Sequence, residues 1–97
     1  MALRVVWTAH AQTERLRILR YWTERNGSKV YSAKLDKLIR STLRILARHP
    51  LIGRPVDHKD VRVKVIGDHL IFYAIREDEL IVLALWDNRR DPAKRPY

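Results

Sequence analysis

The sequence predicts an α+β domain with the order β-α-α-β-β-β, a helical hairpin packed on a small, mainly antiparallel sheet. Two observations carry this prediction. Residues 9–48 hold two stretches of helical periodicity separated only by Asn26-Gly27-Ser28. Residues 61–86 hold three segments of strand character joined by very short connections, the pattern of an antiparallel meander. Ninety-seven residues without a domain boundary, a repeat or a low-complexity segment make a single domain spanning 1–97 the expectation.

Each element follows from local chemistry. Leu3 to Trp7 is rich in β-branched and aromatic residues and reads as a short strand. Thr8 suits the N-cap of a helix from Ala9 to about Arg25, whose Ala11, Ile18 and Trp22, flanked by Leu19 and Tyr21, recur on one side. Gly27 ends that helix, and Ser28 caps a second one running to about Arg48, stopped by Pro50. Leu35, Leu38, Ile39, Thr42, Ile45 and Leu46 form its expected inward stripe, with Lys34, Lys37, Arg40, Arg44 and Arg48 mainly outside it. So short a link favours antiparallel helices.

Leu51 to Asp60, with Gly53 and Pro55, is expected as a loop. Val61, Val63 and Val65 then share one sheet face and Arg62 and Lys64 the other. Gly67-Asp68 turns the chain into a strand from His69 to Arg76, and Glu77-Asp78-Glu79 turns it again into Leu80 to Trp86. The last strand is apolar on both faces and belongs in the sheet interior. Residues 88–97, charged and proline-bearing, are expected as a flexible tail that orders on a partner.

Charge narrows the functional classes. The chain carries +9, concentrated in residues 1–50, which hold 11 Lys and Arg against 3 Asp and Glu; residues 51–97 hold 9 against 8. An excess of this size implies an anionic partner: nucleic acid, a membrane surface or an acidic protein. Cysteine is absent, which removes disulfides and thiolate chemistry. No apolar run reaches membrane-spanning length and the N-terminus lacks a secretion signal, so a cytoplasmic location without membrane association is the expectation. His10, His49, His58 and His69 show no metal-site spacing, and there is no glycine-rich phosphate loop; neither metal nor cofactor is expected.

Candidate site residues cluster late in the chain. Arg89 and Arg90 follow a buried strand, where a rigid sheet end mounts them toward a phosphate or carboxylate; the competing reading pairs them with Asp87 and Asp91. Arg62 and Lys64 offer a basic strand face for phosphate or an acidic protein. His69 has the pKa class for acid–base chemistry, Tyr73 is a packing residue with its hydroxyl at the sheet surface, and Trp86 fills core or stacks on a base. All seven are candidate partner- or target-binding residues.

Over nearly its whole length the chain resembles the RelE/ParE superfamily of toxins from type II toxin–antitoxin systems, closer to the ParE-like members. The resemblance rests on the opening strand and alanine-bearing first helix, the basic second helix, and the link His49-Pro50-Leu51-Ile52-Gly53-Arg54-Pro55. It continues through Gly67-Asp68-His69-Leu70-Ile71-Phe72-Tyr73 and the ending Trp86-Asp87-Asn88-Arg89-Arg90-Asp91-Pro92. It implies a growth-inhibiting toxin held by a cognate antitoxin in a hetero-oligomer, as in plasmid stabilisation systems. RelE-like members are ribosome-dependent messenger-RNA endonucleases; ParE-like members are non-enzymatic poisons typically aimed at DNA gyrase. Arg62 and Lys64 match the RelE pair of basic residues on the first hairpin strand and Arg89 the arginine beyond the last strand; with the adjacent Arg90 they are the candidates for RNA cleavage. The RelE hairpin arginine is Leu70 here, the late catalytic tyrosine has no aligned match because Tyr97 lies several positions too far on, and no imidazole follows His69. A ParE-like toxin acting on gyrase or another protein is therefore the leading expectation, an endonuclease acting on the ribosome and messenger RNA the second, and a basic nucleic-acid-binding module the third.

Overall fold

The computed structural model describes residues 2–97. Strand β1 (Arg4–Trp7) leads into helix α1 (Ala9–Asn26) and helix α2 (Val30–Arg48); β2 (Arg54–Pro55), β3 (Val61–Ile66), β4 (His69–Arg76) and β5 (Glu79–Asp87) follow, with a 3-10 turn at Pro92–Lys94. The sheet order is β1-β5-β4-β3-β2. The three expected strands form the antiparallel meander, and β1 adds to β5 in parallel, with Arg4 opposite Glu79 and Trp7 opposite Val82. The two-residue β2 lies inside the segment expected as loop and pairs with β3.

Local signals set the helix boundaries. The Thr8 hydroxyl accepts the Ala11 N–H at 3.1 Å and donates to the Val82 carbonyl at 3.0 Å, so one residue both caps α1 and ties its start to β5. Gly27 takes the left-handed conformation that ends α1, with φ of 63°. At α2 the N-cap position falls to Lys29, which makes no side-chain capping bond, rather than to the expected Ser28, whose hydroxyl accepts the Val30 N–H at 3.1 Å from one residue earlier.

The core lies between the helices and one sheet face. Leu35, Ile39, Leu43 and Leu46 of α2 and Ala11 of α1 meet Ile66, Ile71, Tyr73, Leu80, Val82 and Leu85. The expected α2 stripe is displaced: Leu38 and Ile45 are 44% and 52% exposed, and Leu43 and Ala47 are buried in their place. The seam with α1 and the sheet runs along 35-39-42-43-46, and a stripe that also included 38 and 45 would wrap too far around the helix. Val61 and Val63 are buried, whereas Val65 on the same face is exposed.

That second face carries its own apolar cluster of Val61, Val63, Leu70, Phe72, Ala84 and Trp86, with Val56, Leu83 and Tyr97 against it. A register irregularity between Phe72 and Tyr73, opposite Leu83, brings Leu83 and Ala84 to this same side. Residues 88–97 run over this face. Asn88 N–H reaches the Asp68 carbonyl at 2.8 Å, Asp91 caps the 3-10 turn, and the Tyr97 ring lies 5.4 Å from Phe72 and 5.1 Å from His58.

The chain between α2 and β2 is anchored by one phenol. Tyr73 is fully buried; its hydroxyl donates to the Pro50 carbonyl at 2.6 Å and accepts the Gly53 N–H at 2.9 Å. Gly53 permits this approach, since a Cβ there would sit 2.2 Å from the hydroxyl oxygen. Burial pushes the phenol pKa above its ordinary value, opposed by the Gly53 bond and the Arg62 charge. Tyr73→Phe strands a buried N–H and carbonyl, and is expected to lower unfolding free energy by about 1–3 kcal/mol. A urea midpoint unchanged from the parent protein would show that water replaces the phenol there.

Candidate functional site

Strand β5 outruns its parallel neighbour. Trp7 of β1 pairs with Val82, and the chain then turns into α1, so Leu83 to Asp87 have no strand on that side. Helix α1 closes the gap. Glu14, almost completely buried, accepts the Leu85 N–H at 3.0 Å and faces His10 Nε2 at 3.2 Å. A carboxylate thus stands where the carbonyl of a neighbouring strand would be.

Beyond Glu14 the helix and strand diverge around a cleft of about 500 Å³. Glu14, Arg17, Ile18, Tyr21 and Trp22 line its helical wall at one-face spacing, and Leu85, Asp87, Arg89 and Arg90 line the other. Tyr21 and Trp22 meet edge to face, with ring centroids 5.2 Å apart.

The two terminal arginines diverge. Arg89 forms a two-pronged pair with Asp87, Nη2 to Oδ2 at 2.6 Å and Nε to Oδ1 at 3.0 Å, and its guanidinium lies 4.5 Å from the Trp22 ring centre. Arg90 stacks 4.2 Å from the Trp86 ring centre, and Trp86 belongs to the second face. The expected joint presentation of Arg89 and Arg90 to one anion is therefore absent: Arg89 is paired with its neighbouring acid, and Arg90 is not. Among the described residues, neither Arg90 nor Arg17 has an acid within ion-pair distance.

The remaining candidates lie apart. Arg62 sits beside Tyr73 on the helix-bearing side of the sheet, donating to the Gly53 carbonyl at 2.6 Å and the Leu51 carbonyl at 3.3 Å. Lys64 follows on the same side, beside Ile71, and is half-buried. Arg62 is level with Val82, whereas Asp87 is level with His69 and Ile66. Four residues of strand separate those levels, roughly 13 Å. Tyr73 is sealed in the core and Trp86 is buried beneath Arg90, so neither ring is presented freely to a partner. Among the described residues, no three His, Cys, Asp or Glu side chains gather to hold a metal ion, and no helix is long and apolar enough to cross a membrane.

His69 is buried opposite Asp87, and its Nε2 has no hydrogen-bond partner. Burial pulls its pKa below the ordinary 6.5; Asp87 and Asp68 pull it up and Arg89 pushes it down, without reversing the net direction. The Arg89 hydrogen bonds hold the Asp87 carboxyl below its ordinary 3.8 against the cost of burial; the same bond raises the pKa of Arg89.

Residues 5–92 match the ParE toxin family of type II toxin–antitoxin systems, parDE, and the chain belongs to that family. The fold is similar to a solved structure of the chromosomal ParDE system of P. aeruginosa, with a TM-score of 0.77 and 17% identity over 89% of this chain and 96% of that one. It is also similar to the RelBE2 toxin–antitoxin complex of Mycobacterium tuberculosis, with a TM-score of 0.65 and 15% identity over 90% of this chain and 99% of that one. Both share the α+β architecture of two helices on a five-stranded mixed sheet. No curated protein matches at the sequence level.

Two measurements check this geometry. The unfolded chain protonates its histidine near pH 6.5, whereas folded His69 resists until lower pH. The unfolded state then binds more protons, and stability declines as pH falls from about 6.5 toward the folded value. His69→Leu removes that limb from a stability–pH curve, while the Asp87 contribution, present above 3.8 and lost as pH falls toward its lower folded value, persists. A parent curve flat from pH 7 to 5 contradicts the burial of His69. Separately, Glu14→Leu costs about 1–3 kcal/mol in urea unfolding by stranding the Leu85 N–H, whereas Glu14→Gln keeps an acceptor and costs far less; equal losses would dismiss the role of that bond.

Proposed function

We propose that this toxin acts by binding a protein target, with DNA gyrase the first candidate, and that an acidic antitoxin neutralises it. One observation carries the choice of binding over RNA cleavage: the four candidate cations do not converge on one point, and two of them, Arg62 and Arg89, already bond within the protein. Cleavage through a ribose 2′-hydroxyl requires a proton acceptor, cations on the developing phosphorane and a donor for the leaving oxygen, all around one phosphate. Arg62 is spent on two backbone carbonyls, Arg89 on Asp87, and Tyr73 is buried. Arg62 also sits at the far level of the sheet from Asp87 and Arg89.

The antitoxin half of the reading is supported by the two structural relatives, a ParDE toxin–antitoxin system and a RelBE2 toxin–antitoxin complex. It also agrees with the charge on this chain, since a basic domain attracts an acidic, partly disordered segment that folds on binding. Of the eleven Lys and Arg in residues 1–50, Arg15 and Arg40 share Asp36 and Arg4 pairs with Glu79, which leaves most of the helical cations for a partner.

The purified protein is expected to inhibit gyrase supercoiling at near-stoichiometric ratio. Unimpaired supercoiling at excess toxin removes gyrase as the target. Primer extension on translated messages is expected to show no new 5′ ends in cells whose growth the toxin has arrested; ends at codons in the ribosomal A site would overturn the protein-binding reading in favour of RNA cleavage.

A further inference from the structure

The sheet is covered on both faces, by the helix pair on one side and by residues 90–97 on the other. Under that short run lie Val61, Val63, Leu70, Phe72, Ala84 and Trp86, all buried and none charged. An apolar sheet face of this kind belongs under a second layer of structure. Its cover here is slight, since residues 88–96 are themselves exposed. Among the described residues, every hydrogen bond made by residues 90–97 closes within residues 87–97. The Arg90 N–H donates to the Asp87 carbonyl, Arg95 donates to Asn88 Oδ1, and the others lie around the 3-10 turn. The run is fastened to the sheet by a ring contact near each end, Arg90 over Trp86 at 4.2 Å and Tyr97 beside Phe72 at 5.4 Å.

A guanidinium stacked on an indole and two aromatic rings in contact are each weak attachments. Ordering the residues between them costs backbone entropy at every position, and the two effects are of comparable size. The run therefore opens locally while the strand ladder and the helix-bearing core stay formed. The Asn88 N–H bond to the Asp68 carbonyl and the Arg89–Asp87 pair fix its base as a hinge. Opening carries away Arg90, Asp91, Lys94 and Arg95 and bares an uncharged face that continues to Val65, already 52% exposed. Nucleic acid or an anionic membrane finds no cation on that face, and an acidic chain finds nothing to pair with. The faces of two sheets, by contrast, pack side chain into side chain. The helical half, with 11 Lys and Arg against 3 Asp and Glu in residues 1–50, repels a second copy instead.

We propose that residues 90–97 are a displaceable strap, and that its release from the folded domain turns the apolar sheet face into an interface with a second copy of this chain. Tyr97 is the latch, because its ring meets both Phe72 and His58 of the β2–β3 connection. Arg90 closes the face at the hinge end. The same patch on both copies closes a two-fold dimer rather than an open chain. Each copy opens before it pairs, so the apparent dissociation constant varies inversely with the square of the open fraction.

Hydrogen exchange at the Trp86 indole N–H, buried without an acceptor, reads strap opening in the parent protein by NMR. Between zero and 1 M urea its rate is expected to change less than roughly twofold, while the interior amides of β4 accelerate roughly fivefold. Sedimentation analysis then compares the parent with Arg90→Ser/Tyr97→Ser. A monomer–dimer equilibrium is expected in the double variant, its midpoint at least roughly a hundredfold below the parent's, the square of a tenfold rise in open fraction. Val65→Lys, added at an exposed site on the same face, sets like charges across the two-fold and is expected to return the double variant to monomer. Far-UV circular dichroism establishes that each variant is folded. If the double variant is not, Tyr97→Ser alone takes its place, with a midpoint shift of roughly tenfold expected. The proposal is overturned if Trp86 exchange rises with urea in step with the β4 amides, or if folded strap variants stay monomeric at every concentration. It is equally overturned by a dimer that Val65→Lys leaves intact, by growth past the dimer into larger aggregates, or by failure of both strap variants to fold, which makes the run part of the fold rather than a strap.

Discussion

The unpaired half of β5 is the constraint from which the site follows. A strand that extends past its neighbour must hide its backbone donors or present them for aggregation. Here β1 stops at Trp7, opposite Val82, and the chain spends its next residues on a helix. Thr8 fixes where that helix begins by bonding to the Val82 carbonyl, and Glu14 closes the edge two turns later at Leu85. A helix with its side chains is about 10 Å across, whereas neighbouring strands are about 4.8 Å apart. Replacing a strand by a helix therefore leaves a wedge, and beyond Glu14 that wedge is the cleft.

The opposite flank of the sheet shows what becomes of basic residues when they are used as scaffold. The phenol of Tyr73 and the guanidinium of Arg62 both bond to the segment Pro50 to Gly53, which returns the chain from α2 to the sheet. Both Arg62 bonds leave from Nη1, so this guanidinium helps to fix the returning segment with one of its nitrogens. Lys64, next to Arg62 on the same strand face, has no such engagement among the described residues. The same basic residue types thus split between a flank that holds the protein together and a rim that faces outward.

Much of this architecture was legible from local rules. The meander is announced by turn residues between alternating segments, and Thr8, Gly27 and Gly67 each sit where their chemistry requires. The parallel pairing of β1 was not legible, because a four-residue strand carries no mark of its neighbour. The exposure of Leu38 and Ile45 was hidden for a related reason: which edge of a wide apolar stripe turns inward depends on where the other helix lies. Two features of the site did leave a trace. Glu14 falls in the series Ala11, Glu14, Ile18, Trp22, and an acid on an apolar stripe is a buried acid with a partner to find. Arg89 and Arg90 were legible as adjacent basic residues beyond a strand, but their divergence onto Trp22 and Trp86 comes from the turn they occupy, in which the Arg90 N–H bonds to the Asp87 carbonyl at 3.0 Å.

The divergence also sets the end of β5 apart from the rest of a strongly basic surface. Single positive charges scattered over helix faces attract any polyanion and release it with salt. At the end of β5 the pattern is different, because Arg89 is neutralised by Asp87 while its guanidinium still covers Trp22. The cleft behind it is then nearly neutral and apolar, with Arg17 on its helical wall, while the Arg90 guanidinium lies over Trp86 on the second face.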